Sequence, residues 1–251
     1  MAGHSHWANI SRKKALVDNK RGKLWSKLSK AIIVAAKLGG PDPDMNVRLR
    51  CAVDAAKAVS MPKDNIQRAI KRGAGESEGI NFDEILYEGY GAGGVAILCE
   101  VLTDNRNRTA SELRKVFELN DGKLGESGCV GWMFERKGLF VLPAAGVAEE
   151  DLMELALEAG ADDVKSSDGR FEVICDPGSF QQVAAALEQA SLRVDSQEIT
   201  RIPSSTVELD LETARKVLNL VEKLDDHDDV QSVSANFSIP DEALTALAAS
   251  S

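Results

Sequence analysis

The chain has 251 residues, 43% of them hydrophobic and 28% charged, the balance of an ordinary globular protein with a buried core. No run approaches the roughly 18 uninterrupted apolar residues of a membrane helix. The opening MAGHSHWANISRKK has no apolar stretch of a secretory signal, so a cytosolic protein is expected. Cys51, Cys99, Cys129 and Cys175 lie dozens of residues apart with no CxxC pair, which argues against a zinc or redox motif.

The net charge of −10 is unevenly spread. Residues 1–75 hold 16 Lys and Arg against 5 Asp and Glu, whereas residues 76–251 hold 14 against 35. A phosphate backbone would be drawn to the first segment and repelled by the second. The rival reading is that the basic segment docks on the chain's own acidic body.

In chain order, a first helix buries Leu24, Leu28, Ala31, Ile32 and Ala35, which recur at spacings of three and four. Lys20, Lys23, Lys27, Lys30 and Lys37 form a stripe beside that face. Gly39-Gly40-Pro41 ends the helix. A second helix over 46–59 buries Leu49, Val53 and Ala56. A third opens on Pro62, buries Ile66, Ala69 and Ile70, and takes its left-handed cap from Gly73. These three make a small bundle, and the second and third have helix-turn-helix spacing. Residues 73–81 are Gly-rich and acidic, a plausible hinge.

Beyond residue 81 strands alternate with helices. A strand is expected over 94–102, a helix over 105–119 and a strand over 129–134. Residues 139–202 then read β-α-β-β-α-β, the ferredoxin-like order. A last helix (211–224) and strand (230–239) bury too little to stand alone and would complete the unfinished unit before them. The expected class is α+β: a basic helical bundle with its arm (1–75), a discontinuous α/β domain (82–135 with 204–240), and a ferredoxin-like α/β domain inserted in it (136–203). Residues 241–251 look like a tail.

The motifs for chemistry fail on context. Gly89-Tyr90-Gly91-Ala92-Gly93-Gly94 matches GxGxxG, but a strand follows where a dinucleotide loop needs a helix, so a hairpin or bulge is expected. Asp42-Pro43-Asp44 lacks the glycine and glutamate of a calcium loop. His4 and His6 lack a third clustered ligand, and His227 sits among Asp225, Asp226, Asp228 and Asp229 in what reads as a solvated turn. Asp104 or Asn105 caps the helix that follows, and Arg106 and Arg108 pair with acidic neighbours or a ligand, the first reading being favoured. No catalytic constellation, cofactor site or metal site remains, so the chain is read as not an enzyme.

The blocks GHSHWANI, RKK, KRGK, KLGGPDP, RLR, MPKDNIQRAIKRG, YEGYG, GGVA, LTDNRNRT, GWMFERKG and DDVQSV run in order through nearly the whole sequence. They resemble the YebC/PmpR family, whose mitochondrial relative is a translational activator of cytochrome oxidase. The resemblance implies three domains, the third inserted in the second, in a cytoplasmic, DNA-binding transcriptional regulator. Some members are instead described as translation factors at the ribosome, acting on proline-rich nascent chains. His6 and Ser11 stand where the family is more often basic, and Ala92 where a proline is usual.

A nucleic-acid partner is therefore expected, DNA or else rRNA and tRNA, with protein partners for the acidic domains and a monomeric state. The candidate contacts are Trp7, Arg12, Lys13 and Lys14 in the arm and Lys20, Arg21, Lys23, Lys27 and Lys30 on the first helix. Arg48 and Arg50 on the second helix and Lys63, Arg68, Lys71 and Arg72 on the third complete the set. Trp7 either stacks on an unpaired base or anchors the arm on the bundle.

Overall fold

A computed structural model describes residues 18–75, 82–167 and 169–240. Most of the N-terminal arm, residues 76–81 of the expected hinge and the expected tail lie outside the described residues. What is described falls into two compact units, Phe134–Ser204 and a discontinuous one of 18–133 with 205–240. The helical bundle thus shares a unit with the discontinuous α/β portion.

The bundle consists of α1 (Asp18–Gly39), α2 (Val47–Ala58) and α3 (Lys63–Gly73). Its core joins Ile32, Ala35, Leu49, Val53, Ala56, Ile66 and Ile70, the faces that helical spacing selects, with Ile33, Ala36 and Met61 added. Asn46 caps α2: its Oδ1 accepts from Leu49 N at 3.1 Å, while its Nδ2 donates to Ala35 O and Gly40 O and so ties the turn to α1. The Trp25 indole N–H donates to Val59 O at 3.3 Å, fixing α1 against the far end of α2. Gly73 is not the left-handed cap. That conformation falls at Gly75 (φ 84°), while a Cβ on Gly73 would collide with the Ile33 carbonyl and lie 2.8 Å from the Ala36 methyl. Its role is close approach of α3 to α1.

The α/β portion of this unit holds β1 (Asp83–Tyr90), β2 (Ala96–Thr103), α4 (Arg106–Leu119), β3 (Lys123–Leu124) and, after the insertion, α7 (Leu211–Asp225) and β9 (Val230–Ala235). The four strands run in the order β3-β1-β2-β9, all neighbours antiparallel. Gly89–Gly94 does form a hairpin, its turn carrying Gly93 at φ 70° and Gly94 at φ 76°. The alternating sheet is that of a ferredoxin-like domain, but the strand lying between β2 and the parallel β3 comes first in the chain. This strand, β1, buries only Gly89 and Glu88, so its sequence carries little apolar alternation to announce it.

Residues 129–133 are not strand. The Glu88 carboxylate accepts the amides of Gly128, Val130 and Gly131 at 2.6–2.7 Å, so this loop's N–H groups are satisfied without a ladder. The chain resumes as strand at Phe134, in the other unit.

That unit comprises β4 (Phe134–Pro143), α5 (Glu149–Glu158), β5 (Ala161–Ser167), β6 (Arg170–Cys175), α6 (Phe180–Gln189) and β7 (Ser196–Pro203). The order β5-β6-β4-β7 is the ferredoxin-like arrangement, with two parallel strands flanking a third. Phe140 stacks on Phe180 of α6, ring centroids 4.6 Å apart, on the helix-covered face. Leu139, Val141, Ile174 and Ile202 cluster on the other. Downstream, β8 (Val207–Glu208) pairs in parallel with β10 (Phe237–Ser238), so the expected strand 230–239 breaks at Asn236. The side-chain amide oxygen of Asn236 accepts from Ala96 N at 2.7 Å.

Gly73→Ala is expected to destabilise the discontinuous unit by about 1–3 kcal/mol, because the methyl must force α1 and α3 apart. Gly22→Ala, on an open face of α1, should instead stabilise it by up to about 1 kcal/mol. Denaturant unfolding of the two variants reads both signs.

Candidate nucleic-acid interface

The expected contacts divide by what holds them. Trp7, Arg12, Lys13 and Lys14 lie outside the described residues, as do the side chains of Lys20 and Arg21 at the start of α1. Arg48 makes a two-pronged pair with Glu84 of β1, at 2.8 and 3.0 Å. Arg50 donates to Pro43 O at 3.0 Å and Asp44 O at 2.6 Å, bracing the α1–α2 turn. On α3, Lys63, Arg68 and Lys71 are exposed and Arg72 half-buried; Arg68 and Lys71 lie opposite Ile66, Ala69 and Ile70, Arg72 lies at the edge of that buried face, and Lys63 extends from the first turn. Arg68 bonds Asn65 and donates to Asp64 O. No carboxylate pairs with Lys63, Lys71 or Arg72 among the described residues, and Asp64 is the lone acid of this helix.

Lys23, Lys27 and Lys30 have a different fate. Placed at i, i+4 and i+7 on α1, they meet the end of α7 and the loop after it. Lys27 Nζ lies 3.5 Å from the Asp225 carboxylate and donates to the Asp225 carbonyl. Lys23 donates to Asp226 O at 3.4 Å and lies 4.0 Å from the Asp228 carboxylate. Lys30 donates to Asp228 O at 3.1 Å and to Asp229 Oδ1 at 2.6 Å. These ammoniums satisfy carbonyls at the negative end of α7 and neutralise carboxylates at once. For these three lysines the geometry is docking on the chain's own acidic body.

Asp229 is the centre of that contact, its side chain 6% exposed. Besides Lys30 it receives Arg108 at 2.7 Å, Thr109 Oγ1 at 2.8 Å and Thr103 Oγ1 at 3.2 Å. Asn105 caps α4 by accepting from Arg108 N, and Arg108 also pairs with Asp104 at 2.9 Å, so the arginines of this segment do meet acidic neighbours. Burial pushes the Asp229 carboxyl up, but the bonds from Lys30, Arg108 and Thr109 outweigh it and hold the group well below the usual carboxylate range. His227 is not a solvated turn residue. Its Nδ1 accepts the Asp229 N–H at 3.1 Å, which leaves the proton on Nε2 to donate to Glu112 at 3.0 Å.

Glu112, His227 and Asp229 lie near enough together to hold a metal ion. Both Asp229 oxygens already serve cations, and His227 Nδ1 already serves an amide, so this donor set is committed to an ion-pair hub. Burial pushes the Cys99 thiol up to about 12 and that of Cys175 up to about 11, so neither offers a thiolate at neutral pH. Pattern does not single out Trp132, which is 76% exposed while its indole N–H bonds Cys129 O. The Tyr90 hydroxyl donates to the same carbonyl, so two aromatic rings converge on the Glu88-braced loop.

Because the Asp229 carboxyl is held low in the folded state, its contribution to stability is complete above its unfolded value of about 3.9 and is lost as pH falls below that. Asp229→Asn is expected to cost on the order of 3 kcal/mol at pH 7 and to flatten the acid limb of the stability curve. Urea unfolding between pH 7 and pH 3 checks both; a variant as stable as its parent would contradict this account of the hub.

Among the described residues no helix is long and apolar enough to cross a membrane. Residues 5–76 match the family model of the TACO1/YebC protein N-terminal domain, and residues 82–237 that of the TACO1/YebC second and third domain. A probable transcriptional regulatory protein of Natranaerobius thermophilus is 59% identical over 244 residues, spanning 96% of this chain and 98% of its own. One of the same description from Rhodopirellula baltica is 57% identical over 246 residues, 98% of this chain and 100% of its own. The crystal structure of a conserved hypothetical protein from Aquifex aeolicus superposes with a TM-score of 0.84 at 51% identity, covering 94% of this chain and 98% of that one.

Proposed function

Since the chain belongs to the TACO1/YebC family, whose relatives are described as probable transcriptional regulatory proteins, we propose that it is a non-catalytic regulator that binds DNA through its basic N-terminal bundle. The observation that carries this reading is the set of cations on α3. Lys63, Arg68, Lys71 and Arg72 spread there against one acidic side chain, in a protein of net charge −10. Cations gathered on one helix, without carboxylate partners among the described residues, are what a phosphate backbone requires. The arm adds Arg12, Lys13 and Lys14 to the same end of the sequence.

The face is better suited to phosphates than to base edges. Of the amide and guanidinium side chains on α3 that could form a two-pronged contact with a base, Asn65 and Arg68 are bonded to each other, which leaves Gln67 and Arg72. Recognition is therefore by backbone and shape, and affinity falls steeply with salt. A regulator that reads shape in this way would act in the cytoplasm as a soluble protein, and the acidic remainder of the chain would be repelled by phosphates.

Binding of a labelled 20-base-pair duplex and of an RNA hairpin, each measured across a salt series, tests the proposal. Lys63→Gln with Lys71→Gln is expected to weaken duplex binding by about tenfold or more and to reduce the log–log salt slope by roughly 2. Unchanged affinity and slope would remove α3 from the interface. A strong preference for the RNA hairpin would replace DNA with RNA as the partner.

A further inference from the structure

Lys23, Lys27 and Lys30 are cations on the basic bundle, yet they do not face solvent alone. The side chains of Lys27 and Lys30 are 12% and 15% exposed and meet the last residue of α7 and the loop after it. What covers them is a run of acceptor oxygens: the neutral carbonyls of Asp225, Asp226 and Asp228 and the anionic carboxylates of Asp225, Asp228 and Asp229. An α-helix rises about 1.5 Å per residue, so the three ammoniums sit on a row about 10 Å long. A row of lysines against a row of closely spaced oxygens is the arrangement that a nucleic-acid strand makes with a basic helix.

We propose that residues 225–229 are an internal mimic of a phosphate backbone. They occupy a second phosphodiester-binding stripe on α1, which a nucleic acid takes over by displacing them. This deepens the function proposed above and rests on it: α3 and the arm make first contact, and the α1 stripe is gained only as the loop lets go.

The chemistry of the contact permits exchange. Lys23 and Asp228 are well exposed, and Asp225 is half-exposed, so these pairs are weakly held and screened by salt. Arg48–Glu84, an ion pair between α2 and β1, is likewise partly exposed on both sides. Asp229 behaves differently. It keeps Arg108, Thr103 and Thr109 when Lys30 leaves, so the carboxylate is not stranded without partners. The loop can therefore release the helix without unravelling its own anchor. Because the mimic has to be displaced, the apparent affinity for nucleic acid is lower than the stripe alone would give, by the fraction of molecules in which the loop has released it.

The test neutralises the mimic and leaves its anchor in place. The full chain carrying Asp225→Asn, Asp226→Asn and Asp228→Asn is compared with one carrying Glu149→Gln, Glu150→Gln and Asp151→Asn, three exposed residues at the start of α5. Both changes remove three negative charges. The probes are a fluorescein-labelled 20-base-pair duplex DNA and a single-stranded RNA of 20 nucleotides, at fixed salt. The loop variant is expected to bind about three- to tenfold tighter than the parent, and the α5 variant less than about twofold tighter. Equal gains from both would show only a general effect of net charge and overturn the proposal, as would a loop variant that binds no tighter. Asp228→Asn alone, at a side chain 70% exposed, gives a gain of the same sign should the triple variant unfold. If the parent binds neither probe, the function proposed above fails. The loop variant still decides this inference: binding gained supports a masked stripe, and none removes it.

Discussion

A carboxylate that is nearly buried must be met by cations and hydrogen-bond donors, and in this protein Asp229 imposes that demand on three distant stretches of sequence. Lys30 comes from the bundle, Arg108 and Thr109 from α4, and Thr103 from the end of β2. Two cations and two hydroxyls share this one carboxylate in a site of low dielectric, so their contributions are coupled, and those that remain compensate it when one leaves. The loop that presents Asp229 is itself fixed by His227, whose ring bridges the Asp229 amide and Glu112. Where α1 meets the sheet is therefore decided largely by electrostatics and hydrogen bonding.

The uneven charge of the sequence takes on a more exact meaning through this hub. A basic segment and an acidic body could each have served an outside partner. Part of the positive charge is instead answered within the molecule, at the end of α7. Another part, on α3, is not answered by carboxylates among the described residues. The bundle thus carries cations in two conditions, open on one helix and covered on another. A polyanion approaching such a surface meets the open set first. The covered set is held by one exposed pair at Lys23, a half-exposed one at Lys27 and a nearly buried one at Lys30, so competition for it is easiest at the Lys23 end.

Much of the fold was legible because it depends on local periodicity. Leu49, Val53, Ala56, Ile66, Ala69 and Ile70 are all buried where helical spacing puts them, and the β-α-β-β-α-β run of the inserted unit appears in its expected order. The misreadings share a cause, since each depends on a partner far along the chain. Residues 129–133 look like strand until the Glu88 carboxylate, some 40 residues earlier, takes up their amides. Gly73 looks like a cap until Ile33 comes against it. His227 looks solvated until Glu112 arrives from α4. For the candidate interface, counting lysines located the basic helix but could not tell which would face solvent. The repeated aspartates after α7 were the one available signal, since a lysine row and an acidic run can satisfy each other.

The claim that an internal acidic loop and a nucleic acid compete for the same face of α1 can be followed amide by amide. Hydrogen exchange across residues 225–230 would be measured on the full chain, free and saturated with the 20-base-pair duplex. Faster exchange is expected at residues 225–228 on binding, as Lys23, Lys27 and Lys30 turn to phosphates, while the Asp229 amide that His227 holds keeps its protection. Unchanged or slower exchange at residues 225–228, with the duplex bound, would contradict the claim.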